Sequence, residues 1–144
     1  MSTTRWDAAP YLSCTDTRRH LREVLDRAEA GLPIGIRRHD SLVALIESGR
    51  LREILMHSRR LPRPEAVAEA GGWSVFLPGT PVAADGADLD EAVDEFVSAL
   101  REYAEDWQER LRLTPNQQQH WPLVQFVSLA SDSDLADWTR GSGP

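Results

Sequence analysis

Apolar positions along the chain switch between a period of two and a period near 3.6, and the switches mark its elements. Residues 1–10 have no periodicity and carry Arg5, Trp6 and Pro10, which reads as a loose arm. Tyr11-Leu12-Ser13-Cys14 predicts a short strand, and Thr15 or Asp16 an N-cap for the helix that follows. Leu21, Val24, Leu25 and Ala28 recur at helical spacing as one stripe. Gly31 ends that helix, and Pro33 follows two residues later. Ile34 to Arg37 predicts a strand, Arg38 to Ser41 a turn, and Leu42 to Ile46 the returning strand of a hairpin. The return strand is apolar throughout, which predicts cover on both faces. Leu51, Ile54 and Leu55 predict a further short helix, with Arg50, Arg52, Arg59 and Arg60 as solvated charges around it. Leu61-Pro62-Arg63-Pro64 breaks that helix and opens a linker.

The second half follows the same logic. Gly71 to Pro78 predicts a strand entered through glycine and stopped by proline, and Pro81 to Ala84 a second one, with Asp85-Gly86 as a turn. Asp88 and Glu91 form a capping-box variant, N-cap and N3. The helix they open carries a stripe of Leu89, Ala92, Val93, Phe96, Leu100, Tyr103, Trp107 and Leu111, about six turns long. Its other face carries Asp94, Glu95, Glu102, Glu105, Asp106 and Glu109. Thr114-Pro115 predicts a new helix start, which Trp121-Pro122 kinks or restarts. An apolar run from Leu123 to Ala130 continues it. Ser131 or Ser133 caps a last short helix holding Leu135 and Trp138, and Gly141 to Pro144 reads as a frayed tail.

The expected class is α+β: a small β-α-β-β-α domain over residues 1–62, a linker over 63–70, and a helix-rich domain with short strands over 71–144. At 144 residues and 41% hydrophobic content the chain is long enough for two small cores, and wholesale disorder is excluded. Charge sharpens this division. Residues 1–64 hold twelve of the sixteen arginines and eight acidic residues, about +4. Residues 65–144 hold four arginines and fifteen acidic residues, about −11. Opposite halves of this kind suit partners of opposite sign: nucleic acid for the front, a basic protein for the back. Lysine is absent, so every strong cation is an arginine. Arginine clamps phosphate or guanine through two parallel hydrogen bonds. The alternative for Arg18 and Arg22 is pairing with Glu23 or Asp26 on a solvated helix face.

The stretch LSCTDTRRHLREVLDRAEAGLPIGIRRHDSLVALIESGRLREIL resembles the N-terminal domain of prevent-host-death (Phd/YefM-type) antitoxins. The matching features are the short strand before an Arg-bearing helix, the Ala-Gly-Leu-Pro helix end, the Ile-x-Ile-Arg-Arg strand and the hydrophobic return strand. They cover roughly residues 11–58. His39-Asp40 departs from the usual turn, and the acidic Asp40 weakens a phosphate role at its tip. The resemblance implies a homodimer that binds operator DNA, with Thr15, Thr17, Arg18, Arg19 and Arg22 on the duplex and Arg37 and Arg38 joining from the hairpin. The stretch GGWSVFLPGTPVAADGADLDEAVDEFVSALREY is similar, in part, to the HicB-type antitoxin domain, through Gly72, Trp73, Leu77, Pro78, Gly86, Leu89, Glu91 and Ala92. It lacks further strands afterwards. Together the two imply an antitoxin that neutralises a small basic toxin by direct contact and represses its own operon. The toxin contacts expected are Glu95, Glu102, Asp106, Trp121, Phe126 and Trp138. A stand-alone DNA-binding regulator is the alternative.

Other chemistry finds no support in the residues. There is no Gly-rich phosphate loop, no His or Cys pair at metal-ligand spacing, and no nucleophile signature around Ser74 or Cys14. Asp85, Asp88, Asp90 and Asp94 cluster, but capping and helix-dipole roles account for Asp88 and Asp90. No catalytic residue, metal or cofactor is expected. Cys14 is the single cysteine, no segment approaches the roughly 18 apolar residues of a membrane span, and the N-terminus has no signal-peptide core. A cytoplasmic location without membrane contact is expected.

Overall fold

A computed structural model describes residues 11–141. The expected arm over 1–10, and the tail beyond Gly141, lie outside the described residues. The fold is α+β, as expected. Its contacts divide it into two units, residues 1–51 and 52–144.

The first unit begins with strand β1 (Tyr11–Ser13), followed by helices α1 (Cys14–Arg19) and α2 (Leu21–Glu29). Strands β2 (Ile34–Arg38) and β3 (Ser41–Leu45) close the sheet, whose order is β1-β2-β3. β1 runs parallel to β2, and β2 antiparallel to β3. The helix cap is Ser13, not Thr15 or Asp16. Its hydroxyl accepts from the Asp16 N–H at 3.0 Å, and the Thr17 hydroxyl donates to the Ser13 carbonyl at 2.8 Å. The expected single helix is broken at His20, whose backbone leaves the helical region (φ −118, ψ 32). Gly31 takes φ +93 just past the end of α2, the left-handed position that favours glycine.

The core of this unit is small: Leu12, Val24 and Ile34, with Ile36 and Leu45 packed against them. Half of the expected helical stripe is not in it. Val24 and Ala28 are buried, whereas Leu21 and Leu25 are exposed. The β3 expectation also needs correction. Leu42 and Val43 are 55% and 51% exposed and point to opposite faces, so neither face of β3 is fully covered by the described residues. Among the described residues the strand has one neighbour, β2, and lies at the sheet edge.

Helix α3 (Ser48–Met56) contains the division between the units. In the second unit, strands β4 (Glu65–Glu69), β5 (Gly72–Phe76) and β6 (Ala83–Gly86) form an antiparallel sheet in that order. β4 occupies most of the stretch read as a linker. β6 runs through Asp85-Gly86, which was expected as a turn; the chain reverses earlier, where the Leu77 N–H donates to the Val82 carbonyl at 3.0 Å. Helix α4 (Leu89–Glu109) follows. Asp88 caps it by accepting from the Glu91 N–H at 2.8 Å, while the Glu91 carboxylate accepts from the Ala87 N–H at 3.2 Å. Ala92, Val93, Phe96, Leu100 and Tyr103 of its stripe are buried, and Val97 and Ala104 widen that face.

Two 3-10 turns, Leu111–Leu113 and Gln118–His120, precede α5 (Trp121–Leu129) and α6 (Asp132–Arg140). No α-helix starts at Thr114-Pro115; the restart comes at Trp121, with Pro122 in the first turn. Ser131 caps α6 in a complete capping box with Asp134, and left-handed Gly141 ends it. Arg101 ties α4 to the end of α5, donating to the Val127 and Ala130 carbonyls at 2.6 and 2.7 Å. These are carbonyls that a helix end leaves unsatisfied.

Gly86 marks the closest approach of sheet and helix. A Cβ there would fall on the backbone of Ala92 in the first turn of α4, and one at Gly72 on the Gly86 carbonyl. Backbone cannot rotate away as a side chain can. Gly86→Ala is expected to destabilise the second unit by about 3 kcal/mol, the upper end of ordinary overpacking. Urea unfolding monitored by tryptophan fluorescence measures it, and an unchanged midpoint would contradict the close packing.

Candidate functional site

Five arginines of the first unit sit on α1, the start of α2 and strand β2. Arg18 and Arg19 occupy the last turn of α1, and Arg22 the first turn of α2. The parallel register sets Ser13 beside Arg37, so the hairpin strand carrying Arg37 and Arg38 lies against the start of α1. Arg18, Arg19, Arg22, Arg37 and Arg38 are all exposed. Among the described residues none of the five is held in an ion pair. Glu23, the carboxylate in reach on α2, sits 3.8 Å from His20 Nδ1 instead. Thr15 is exposed, while Thr17 is half-buried with its hydroxyl engaged on the Ser13 carbonyl. His39 takes φ 54 in the hairpin turn beside exposed Asp40.

The acidic residues of the second unit divide into two kinds. Several are structural. Asp88 is a cap, Asp90 accepts from Arg140 at 2.8 Å, and Asp134 pairs with Arg52 at 3.1 Å. The Ser131 backbone N–H, then its hydroxyl, hold the Asp134 carboxyl below its ordinary range, with Arg52 adding to them. Asp106 is likewise lowered by the hydrogen bond from Arg110, 2.6 Å away. Asp132 pairs with Arg101 at 2.9 Å, and Glu91 is held in the α4 cap. Glu95 and Glu102 are exposed on α4, seven residues apart and so on one face, with Glu105 and Glu109 further along the helix.

The apolar residues expected to meet a partner separate clearly. Trp121 is 41% exposed at the start of α5. Phe126 is 1% exposed and Trp138 8%, and their rings pack at 5.0 Å. Both belong to the core of the folded unit, so Trp121 alone of the three offers its ring outward. Trp107 is half-buried, its indole N–H donating to the Gln117 carbonyl at 2.8 Å. The sequence reading missed Leu113, 68% exposed in the first 3-10 turn, and Val67 on β4. It also missed the surroundings of Arg59 and Arg60, which line a cleft with Gln119 and His120. No local pattern marks that cleft, because three separate loops build it.

No helix among the described residues is long and apolar enough to cross a membrane. No curated protein matches the chain. In the solved structures, the fold is similar to a crystal structure from Syntrophomonas wolfei subsp. wolfei, described as the antitoxin part of a toxin/antitoxin system. The two are 18% identical, with a TM-score of 0.74 over 90% of this chain and 96% of the other. At that identity the likeness establishes the fold. A PHD-like family model, described as an antitoxin of toxin–antitoxin, RelE/RelB, TA systems, matches residues 10–137 and so runs through both units. The chain belongs to this PHD-like antitoxin family and is an antitoxin of a toxin–antitoxin system.

Proposed function

We propose that the chain is a type II antitoxin that neutralises a small basic toxin by direct contact and, as a homodimer, represses its own operon. The first unit is Phd/YefM-like in this reading, and the second keeps part of the HicB-type strand–helix order. One observation carries the DNA role: five exposed arginines, outside any ion pair among the described residues, on one small basic unit. Arginines held for intramolecular stability would have carboxylate partners; these are available to phosphate and guanine. Thr15 and Thr17 flank them on α1.

Dimerisation rests on the small first core. A unit of 51 residues is small, and such units bury little apolar surface by themselves. Leu21, Leu25, Leu32, Leu42 and Val43 are all exposed large hydrophobics here. A two-fold partner covering β3 would bury them and would double the DNA contacts on a near-palindromic site.

The toxin surface in this reading is the α4 face of Glu95 and Glu102, with Asp106 beside them and Trp121 as the apolar anchor. Carboxylates steer encounter with a basic partner, and a large ring supplies affinity once desolvated. The experiment is co-expression with the product of the adjacent reading frame. Co-purification and rescue of growth are expected, and failure of both would remove the direct-contact claim. Glu95→Gln with Glu102→Gln is expected to slow association about tenfold at low salt and leave dissociation nearly unchanged. Stopped-flow fluorescence reads both rates; an unchanged association rate would place the toxin surface elsewhere.

A further inference from the structure

Residues 52–144 carry sixteen acidic residues and eight arginines. In so acidic a unit an arginine finds a carboxylate readily. Arg52, Arg101, Arg110 and Arg140 each do, at 3.1, 2.9, 2.6 and 2.8 Å. Arg112 donates to the Gln108 carbonyl at 2.9 Å. Arg59, Arg60 and Arg63 differ: all three are exposed, and among the described residues none is in an ion pair. Of these, Arg59 and Arg60 share one cleft.

Arg59 and Arg60 line an open cleft of about 510 Å³ together with Pro78, Gly79, Gln119 and His120. No carboxylate is among the described residues that line it. That volume falls within the range of small-ligand sites, larger than one ordered water or chloride needs. We propose that this cleft binds a phosphate group, free or carried by a small nucleotide. Two adjacent guanidinium groups match the several oxygens and double charge of a phosphate. The Gln119 amide and the His120 imidazole add neutral or cationic donors. The Pro62 and Pro78 rings supply apolar walls for whatever the phosphate carries.

His120 provides a local reporter. Burial holds its imidazole below the ordinary histidine value, so in the empty cleft the neutral form is favoured. Facing it are Arg59 and Arg60 across the cleft and the Tyr103 ring at 6.3 Å, whose hydroxyl donates to Gln117. A phosphate beside it favours the imidazolium, so its titration moves up in pH when the site fills.

The experiment is proton–carbon NMR of the histidine ring Cε1–H groups in the full chain. The protein is titrated with pyrophosphate, ADP and adenosine at constant ionic strength maintained with sodium chloride. The expected result is a saturable shift of His120 with pyrophosphate and ADP, together with a rise in its pKa, while His57 stays in place. Arg59→Ala with Arg60→Ala removes two exposed side chains and is expected to weaken this binding at least tenfold. ADP tighter than pyrophosphate by tenfold or more would identify a nucleotide as the source of the phosphate; equal affinity would identify free phosphate. The proposal is overturned if His120 responds no more than to chloride, if the double variant binds as before, or if adenosine alone acts as strongly as ADP.

Discussion

Phe126→Ala is expected to lower the stability of the second unit by about 3–5 kcal/mol, the usual cost of emptying a large aromatic site in a core. Phe126 is 1% exposed and packs against Trp138, so the lost ring leaves a cavity walled by α5 and α6. A domain of this size has about 5–15 kcal/mol in total. The variant should therefore melt much earlier, and lose toxin binding only as far as it unfolds. Saturating toxin should restore it by mass action. Trp121→Ala makes the contrast. Its ring is 41% exposed, so stability should change little while toxin affinity falls. Urea unfolding and calorimetric titration separate the two. A stable Phe126→Ala that no longer binds toxin would mean that the core opens to receive its partner.

Arg18→Ala combined with Arg22→Ala is expected to weaken operator binding at least about 100-fold, since each well-placed arginine contact contributes about 1–3 kcal/mol and a dimer presents every contact twice. Stability should stay within about 0.5 kcal/mol, because both side chains are exposed and outside any described ion pair. The toxin complex should form as before. Mobility shift on the upstream DNA, alongside a thermal melt, reads both effects. Normal operator affinity in the double variant would remove α1 and α2 from the DNA interface.

Local signals made much of the fold legible. The caps at Asp88 and Ser131, the α4 stripe from Ala92 to Tyr103 and the hairpin over residues 34–45 follow from short-range chemistry, and they stand in the structure. What failed depends on distant partners. β4 has the sequence EAVAE, every residue of which is exposed, and it is a strand because β5 pairs with it. The break at His20 has no glycine or proline to announce it. Leu42 and Val43 read as buried because an apolar strand implies cover, yet the described residues do not supply that cover. Gln125 and Ser128 share a helix face with Trp121 and are exposed with it, so the spacing over residues 121–130 already set Trp121 apart from Phe126 in the core, a distinction the reading of the apolar residues alone did not draw. Arg59 and Arg60 looked like ordinary solvated charges, since Pro78 and His120 join them only in the fold.

The proposed division of labour between a DNA-binding front and a toxin-binding back is tested most directly by fluorescence anisotropy. The full chain is titrated onto a labelled duplex from upstream of its own gene, across a salt series. Ten arginines in a dimer, about half of them on phosphates, predict tight binding at low salt and a log–log slope of about −4 or steeper. Absence of binding even at low salt would contradict a DNA role for the basic unit, and would leave toxin contact as the function of this antitoxin.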